Sequence, residues 1–100
     1  MKKIYSTLFI IISSVIFSQS LVRKNADKYY NQLAYVDALE FYKSLASKKN
    51  VTDEDIRRTA MCYYNIFDYE NANSYLNQLS QKFPNSITES DLLAQLQVLK

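Results

Sequence analysis

An all-α solenoid of antiparallel helix hairpins is the fold class this sequence predicts, and three observations predict it. The first is an internal repeat. Ala26, Tyr29, Tyr30, Asn31, Tyr35, Ala38 and Leu45 recur 34 residues later as Ala60, Tyr63, Tyr64, Asn65, Tyr69, Ala72 and Leu79, and Arg23 recurs as Arg57. Ordinary residue frequencies give roughly one or two such identities over this span. A fixed period of this size marks stacked supersecondary units. The second is helical spacing of apolar residues in each half of the repeat. The third is composition: no Gly, a single Pro, and many Leu, Ala, Lys, Gln, Glu and Tyr residues.

In chain order, residues 1–20 read as a secretory signal peptide. Lys2 and Lys3 supply the positive end, Ile4 to Phe17 the apolar core and Ser18-Gln19-Ser20 the small-residue exit, with cleavage expected after Ser20 or Ser18. The core is shorter than the ~20 apolar residues that span a bilayer, so no permanent membrane span is expected once it is cleaved. No Cys follows it to take a lipid. The expected location is beyond the inner membrane, in the periplasm or associated with the outer membrane.

Residues 21–51 form the first expected hairpin. Val22, Ala26, Tyr29 and Leu33 line one helical face, and Tyr35, Ala38, Leu39, Tyr42 and Leu45 line the next, with a short break near Leu33-Ala34. Lys48-Lys49-Asn50 closes the second helix, with Asn50 suited to a left-handed turn. Residues 52–85 form the second hairpin. It opens on the capping-box-like Thr52-Asp53-Glu54-Asp55 and continues with Ile56, Ala60, Tyr63 and Phe67, then with Tyr69, Ala72, Tyr75, Leu76 and Leu79, ending at Pro84. Residues 86–100 begin at a second such box, Thr88-Glu89-Ser90-Asp91. They are expected to form the first helix of a third unit or a capping helix, with Leu92, Leu93, Leu96 and Leu99 on its apolar face.

These residues resemble the tetratricopeptide repeat family. Ala26 and Ala60 fill its small-residue position, Tyr29 and Tyr63 its Tyr, Ala38 and Ala72 its second-helix Ala, and Tyr42 and Leu76 the large residue four places on. Pro84 fills the terminal Pro, where the first unit has Asn50. Val22 and Ile56 replace the family's Trp, and Asn25 and Thr59 its Leu. The resemblance covers about two and a half repeats after the signal peptide. It implies a concave surface built from exposed positions of each first helix, to which a protein or peptide partner binds. By position that surface is Arg23, Asp27, Tyr30 and Asn31 in the first unit and Arg57, Met61, Tyr64 and Asn65 in the second. Both arginines stand where chaperone-binding relatives carry a lysine that grips a terminal carboxylate. Asp27 and Met61 replace the Asn expected four residues on, so that activity is not carried over.

Several function classes are disfavoured. With no Gly the chain lacks phosphate-cradling loops, and with no His it lacks the usual general base and metal ligand. Its one Cys, Cys62, cannot form an intrachain disulfide or a thiol cluster and reads as a buried small hydrophobe. No catalytic, cofactor or metal residues are assigned. Removing Lys2 and Lys3 leaves ten basic against ten acidic residues, so no nucleic-acid footprint is expected. The stretch Lys28 to Ala38 is similar to the amino-terminal repeat region of Bacteroidetes envelope proteins of the OmpA family, some associated with type IX secretion. That resemblance implies a non-catalytic scaffold in the cell envelope, alongside a wall-binding domain. The alternative is a structural spacer that self-associates through Leu92, Leu96 and Leu99.

Overall fold

Side-chain hydrogen bonds at Thr52, Asp68 and Thr88 start three of the helices, and the left-handed residues Leu33 and Phe67 follow the ends of two. The computed structural model describes residues 18–99. They form α1, described over 18–31, α2 (Tyr35–Ala46), α3 (Asp53–Asn65), α4 (Tyr69–Lys82), a 3-10 turn (Pro84–Ser86) and α5 (Glu89–Val98), with no strand among them. Most of the expected signal peptide lies outside the described residues. Its last three, Ser18 to Ser20, belong to α1, where Gln19 Oε1 accepts a 2.6 Å bond from Asn50 Nδ2.

Two hairpins repeat one another closely. In each, three residues link the helices and the middle one is left-handed: Leu33 at φ 62° and Phe67 at φ 67°. The N–H of Leu33 donates to Tyr30 O and that of Ala34 to Tyr29 O; Phe67 to Tyr64 O and Asp68 to Tyr63 O repeat the pair. These are the two bonds of the Schellman motif, which satisfies carbonyls a helix end leaves orphaned. The sequence expectation placed Leu33 and Phe67 on the core faces. Instead they sit past the helix ends, 69 % and 78 % exposed, because the left-handed position turns them outward. Asn50 is not left-handed either: among the described residues only Leu33 and Phe67 combine a side chain with positive φ. The chain leaves α2 through Lys48 N–H to Leu45 O and Val51 N–H to Lys48 O.

Within each hairpin an aromatic pair stacks across the two helices, Tyr29 on Phe41 at 5.8 Å and Tyr63 on Tyr75 at 5.6 Å. Both pairs recur at the 34-residue register. Ala26, Ala38, Ala60 and Ala72 are all fully buried, where a larger side chain would hold the helices apart. Tyr42, Leu45, Cys62, Leu76 and Leu79 fill the remaining core.

Thr52 and Thr88 each make a complete capping box, with Asp55 and Asp91 as reciprocal acceptors. The expectation for α5 differs from its packing. Leu92, Leu93, Leu96 and Leu99 are 53–67 % exposed, while Asp91 and Ala94 are the buried residues. Asp91 is anchored from outside its helix, and that anchor fixes which side of α5 faces in.

A left-handed side chain is disfavoured by ~1–2 kcal/mol, and Gly gives part of this back as unfolded-state entropy. Leu33→Gly and Phe67→Gly are therefore each expected to stabilise the fold by about 0.5–1 kcal/mol, read as a raised urea midpoint. A lowered midpoint would contradict this reading of the turns.

Candidate functional site

The arginines of the repeat join one unit to the next. Arg23 Nε and Nη2 donate to the two carboxylate oxygens of Asp55 at 3.0 and 2.7 Å. The same carboxylate accepts the Thr52 N–H at 3.2 Å, while Asp55 N–H donates to Thr52 Oγ1 at 3.1 Å. Arg57 does the same one unit later. Its Nε donates to both Asp91 oxygens at 3.0 and 2.9 Å, Nη1 to Glu54 at 2.9 Å and Nη2 to Ser86 O at 2.7 Å. Asp91 Oδ2 accepts the Thr88 N–H at 3.0 Å. Each capping-box carboxylate thus binds its own helix start and the arginine of the preceding unit. Burial pushes the Asp55 carboxyl up, but the bonds from Arg23 and Thr52 outweigh it and hold the group below its ordinary value.

The first groove, between α1 and α3, is filled by a polar network. Tyr42 OH donates to Asp27 Oδ1 in a short bond, and Arg58 Nη1 donates to Asp27 Oδ1 at 2.8 Å and to Tyr42 OH at 3.2 Å. The Arg58 guanidinium lies 5.0 Å from the Tyr30 ring centroid, a cation–π distance. Tyr30 also meets Tyr35 and Tyr42 edge-on at 5.6 and 6.0 Å.

The second groove, between α3 and α5, has different chemistry. One register on, Asp27 becomes Met61, Tyr42 becomes Leu76 and Arg58 becomes Leu92. Among the described residues no charged network forms there. An open groove of about 800 Å³ remains, lined by Met61 and Tyr64 of α3, by Ser90, Leu93, Ala94, Leu96 and Gln97 of α5, and by Leu99 just past it. Its size lies within the usual range of binding clefts, and among the described residues none that lines it is charged. Tyr64 packs at a tilt on Tyr69, the register mates of Tyr30 and Tyr35.

The eight sequence-predicted surface residues are thus divided. Met61 and Tyr64 line the second groove. Arg23 and Arg57 are held in the inter-unit ion pairs, and Asp27 and Tyr30 in the first-groove network. Asn31 and Asn65 are exposed at the ends of the first helices, with Asn65 Nδ2 donating to Met61 O at 2.8 Å. Leu93, Leu96, Leu99 and Gln97 were absent from the sequence-predicted partner surface, Leu96 and Leu99 being expected only on a self-association face. Their signal was present, since Ser90, Leu93, Ala94 and Gln97 stand 34 residues after Ile56, Thr59, Ala60 and Tyr63.

Cys62 is fully buried, and burial pushes its thiol up to about 12, so the thiolate is scarce at neutral pH. Among the described residues no group of three or more His, Cys, Asp or Glu side chains is placed to hold a metal, and no helix is long and apolar enough to cross a membrane.

The tetratricopeptide repeat family model matches residues 57–86. Those residues contain a tetratricopeptide repeat. The match begins at the clamping Arg57 and ends at Ser86, whose carbonyl that arginine binds. No curated protein and no solved structure matches the chain. Repeats of this kind generally mediate protein–protein interaction.

The clamp has a pH signature. The folded-state carboxyl of Asp55 lies below its ordinary value of 3.8, so its contribution to stability is complete above that value and is lost as pH falls through the lower folded value. Asp55→Asn is expected to destabilise the chain by about 2 kcal/mol at pH 7, less at pH 2, as measured by urea unfolding. An equal loss at both pH values would contradict the ion pair.

Proposed function

We propose that the protein is a non-catalytic scaffold of the bacterial cell envelope that holds a protein partner in the groove between α3 and α5. One observation carries this reading. The second groove exposes Leu93, Leu96 and Leu99 beside Met61 and Tyr64, whereas the equivalent first groove is filled by the Asp27, Tyr42 and Arg58 network. Exposed contiguous apolar surface next to an aromatic is a characteristic of protein contact sites. The arginines are better understood as structural, because each already has a carboxylate. The envelope setting draws its support from Lys2, Lys3 and the apolar run Ile4 to Phe17. In that setting the repeats serve as the partner-binding module of an OmpA-like wall-anchored assembly.

A second reading, self-association, is favoured by Leu92, Leu96 and Leu99. They follow the i, i+4, i+7 spacing of a helix–helix seam and are 53 %, 61 % and 67 % exposed. Sedimentation of the wild type and Leu96→Glu distinguishes it, since only a leucine-mediated dimer loses mass on substitution.

A photocrosslinking side chain at position 96, introduced in the native host, is expected to form a discrete adduct with another protein. The same side chain at the exposed position 43 on α2 is expected to form none. Leu96→Glu should reduce co-purification of that partner at least tenfold without altering the far-ultraviolet dichroism. Equal adducts from both positions, or none from either, would count against the groove.

A further inference from the structure

We infer that the aromatic ridge of Phe67 and Tyr69, at the turn between α3 and α4, docks a partner segment carrying an arginine flanked by apolar side chains. The inference does not depend on the reading of the α3–α5 groove.

The turn presents apolar surface at a cost to the fold. Phe67 is left-handed, at φ 67°, a conformation that Gly adopts freely and Asn tolerates better than other residues. The sequence holds eight Asn, yet both left-handed positions carry a large apolar residue instead, Leu33 and Phe67. Among the described residues Phe67 is the most exposed large apolar side chain, and its ring meets the exposed Tyr69 edge-on at 6.3 Å. Tyr69 lies in turn 5.6 Å from Tyr64, so a third ring backs the ridge. One unit back, the exposed Leu33 and Val36 continue apolar surface along the same edge of the stack. Contiguous exposed apolar surface marks a contact site, and aromatic anchors carry much of the energy of such sites.

Charge selects the occupant. Asp68 and Glu70 flank Tyr69 in the chain, and Asp37 follows Val36. Among the described residues none of these three enters an ion pair. The Asp68 oxygens take only the Asn71 backbone N–H at 3.3 Å and its side-chain amide at 2.8 Å. All three arginines of the sequence are engaged elsewhere, Arg23 by Asp55, Arg57 by Asp91 and Glu54, and Arg58 by Asp27 and Glu54. Arg58 also shows how a guanidinium is held in this fold, 5.0 Å from the Tyr30 ring centroid beside a carboxylate. One period on, that position is Leu92, so the repeat brings no arginine to the second aromatic cluster.

A partner's arginine meets rings and carboxylates together at this turn. Its planar, weakly hydrated guanidinium stacks on an aromatic face where an ammonium keeps its water. Its apolar neighbours cover Phe67 and Tyr69. The same carboxylates disfavour the other occupants, since a second copy of this edge or an anionic bilayer brings like charge.

The probe is an acetylated, amidated pentapeptide, Ala-Leu-Arg-Leu-Ala, titrated into the isotope-labelled full chain and followed by amide chemical shifts. Saturable shifts are expected at residues 66–70. A matched peptide with citrulline for arginine, of the same shape but uncharged, is expected to bind roughly fivefold more weakly. Phe67→Asn is expected to abolish the shifts while raising the urea midpoint, so that lost binding is not lost folding. Glu70→Gln should weaken binding, and Glu89→Gln, an exposed carboxylate at the start of α5, should leave it unchanged.

Other results overturn the inference. Equal binding of the arginine and citrulline peptides removes the cation from it. Shifts that survive Phe67→Asn, or no shifts at all, remove the site. Phe67-dependent self-association in sedimentation makes a second copy the occupant. Phe67-dependent binding to phosphatidylcholine vesicles, without peptide binding, makes it a bilayer. Either of these overturns the arginine segment.

Discussion

A carboxylate at the start of each new unit, held by an arginine of the unit before, is the interaction on which the stack depends. Asp55 and Asp91 are almost fully buried, and burying a charge is unfavourable unless it is both paired and hydrogen-bonded. Each meets that condition twice over. Its oxygens take the capping-box amide of their own helix and the guanidinium of the preceding one. Charge-assisted, forked bonds fix direction as well as distance, so the clamp sets where a helix begins and how it is rotated. That is why α5 turns Asp91 inward and its leucines outward.

With the helix starts fixed, ordinary packing supplies the rest. Small alanines let helices approach, stacked aromatics close each hairpin, and Schellman turns reverse the chain although it has no glycine. The two grooves then diverge through a few substitutions at equivalent positions. Asp27, Tyr42 and Arg58 complete one another in the first groove. Met61, Leu76 and Leu92 cannot form such a network in the second, and apolar surface is left open there. The difference between a filled groove and an open one thus comes down to which side chains one repeat period exchanges.

Much of the fold was legible in the sequence because it is written twice. The alanines, the hairpin break near Leu33 and both capping boxes were read from spacing alone, and the structure bears them out. Leu33 and Phe67 misled because helical periodicity does not register where a left-handed residue ends the helix. The groove was only half legible. Met61 and Tyr64, expected on the surface that the family resemblance implies, line the open groove, but an exposed-position rule cannot say that Arg23 and Arg57 are already taken. Their partners are 32 and 34 residues away, and the pairing follows the capping boxes rather than a single repeat period. In the third unit the register position of those arginines is Asp91 itself.

The most direct test of this account is a double-mutant cycle on Arg57 and Asp91, using Arg57→Met, Asp91→Asn and the pair, with stability read from urea unfolding. The clamp predicts a coupling of about 1–2 kcal/mol, because either single change leaves a buried charged or polar partner unmatched. Additive losses, with coupling within about 0.3 kcal/mol of zero, would contradict the claim that this carboxylate joins the units.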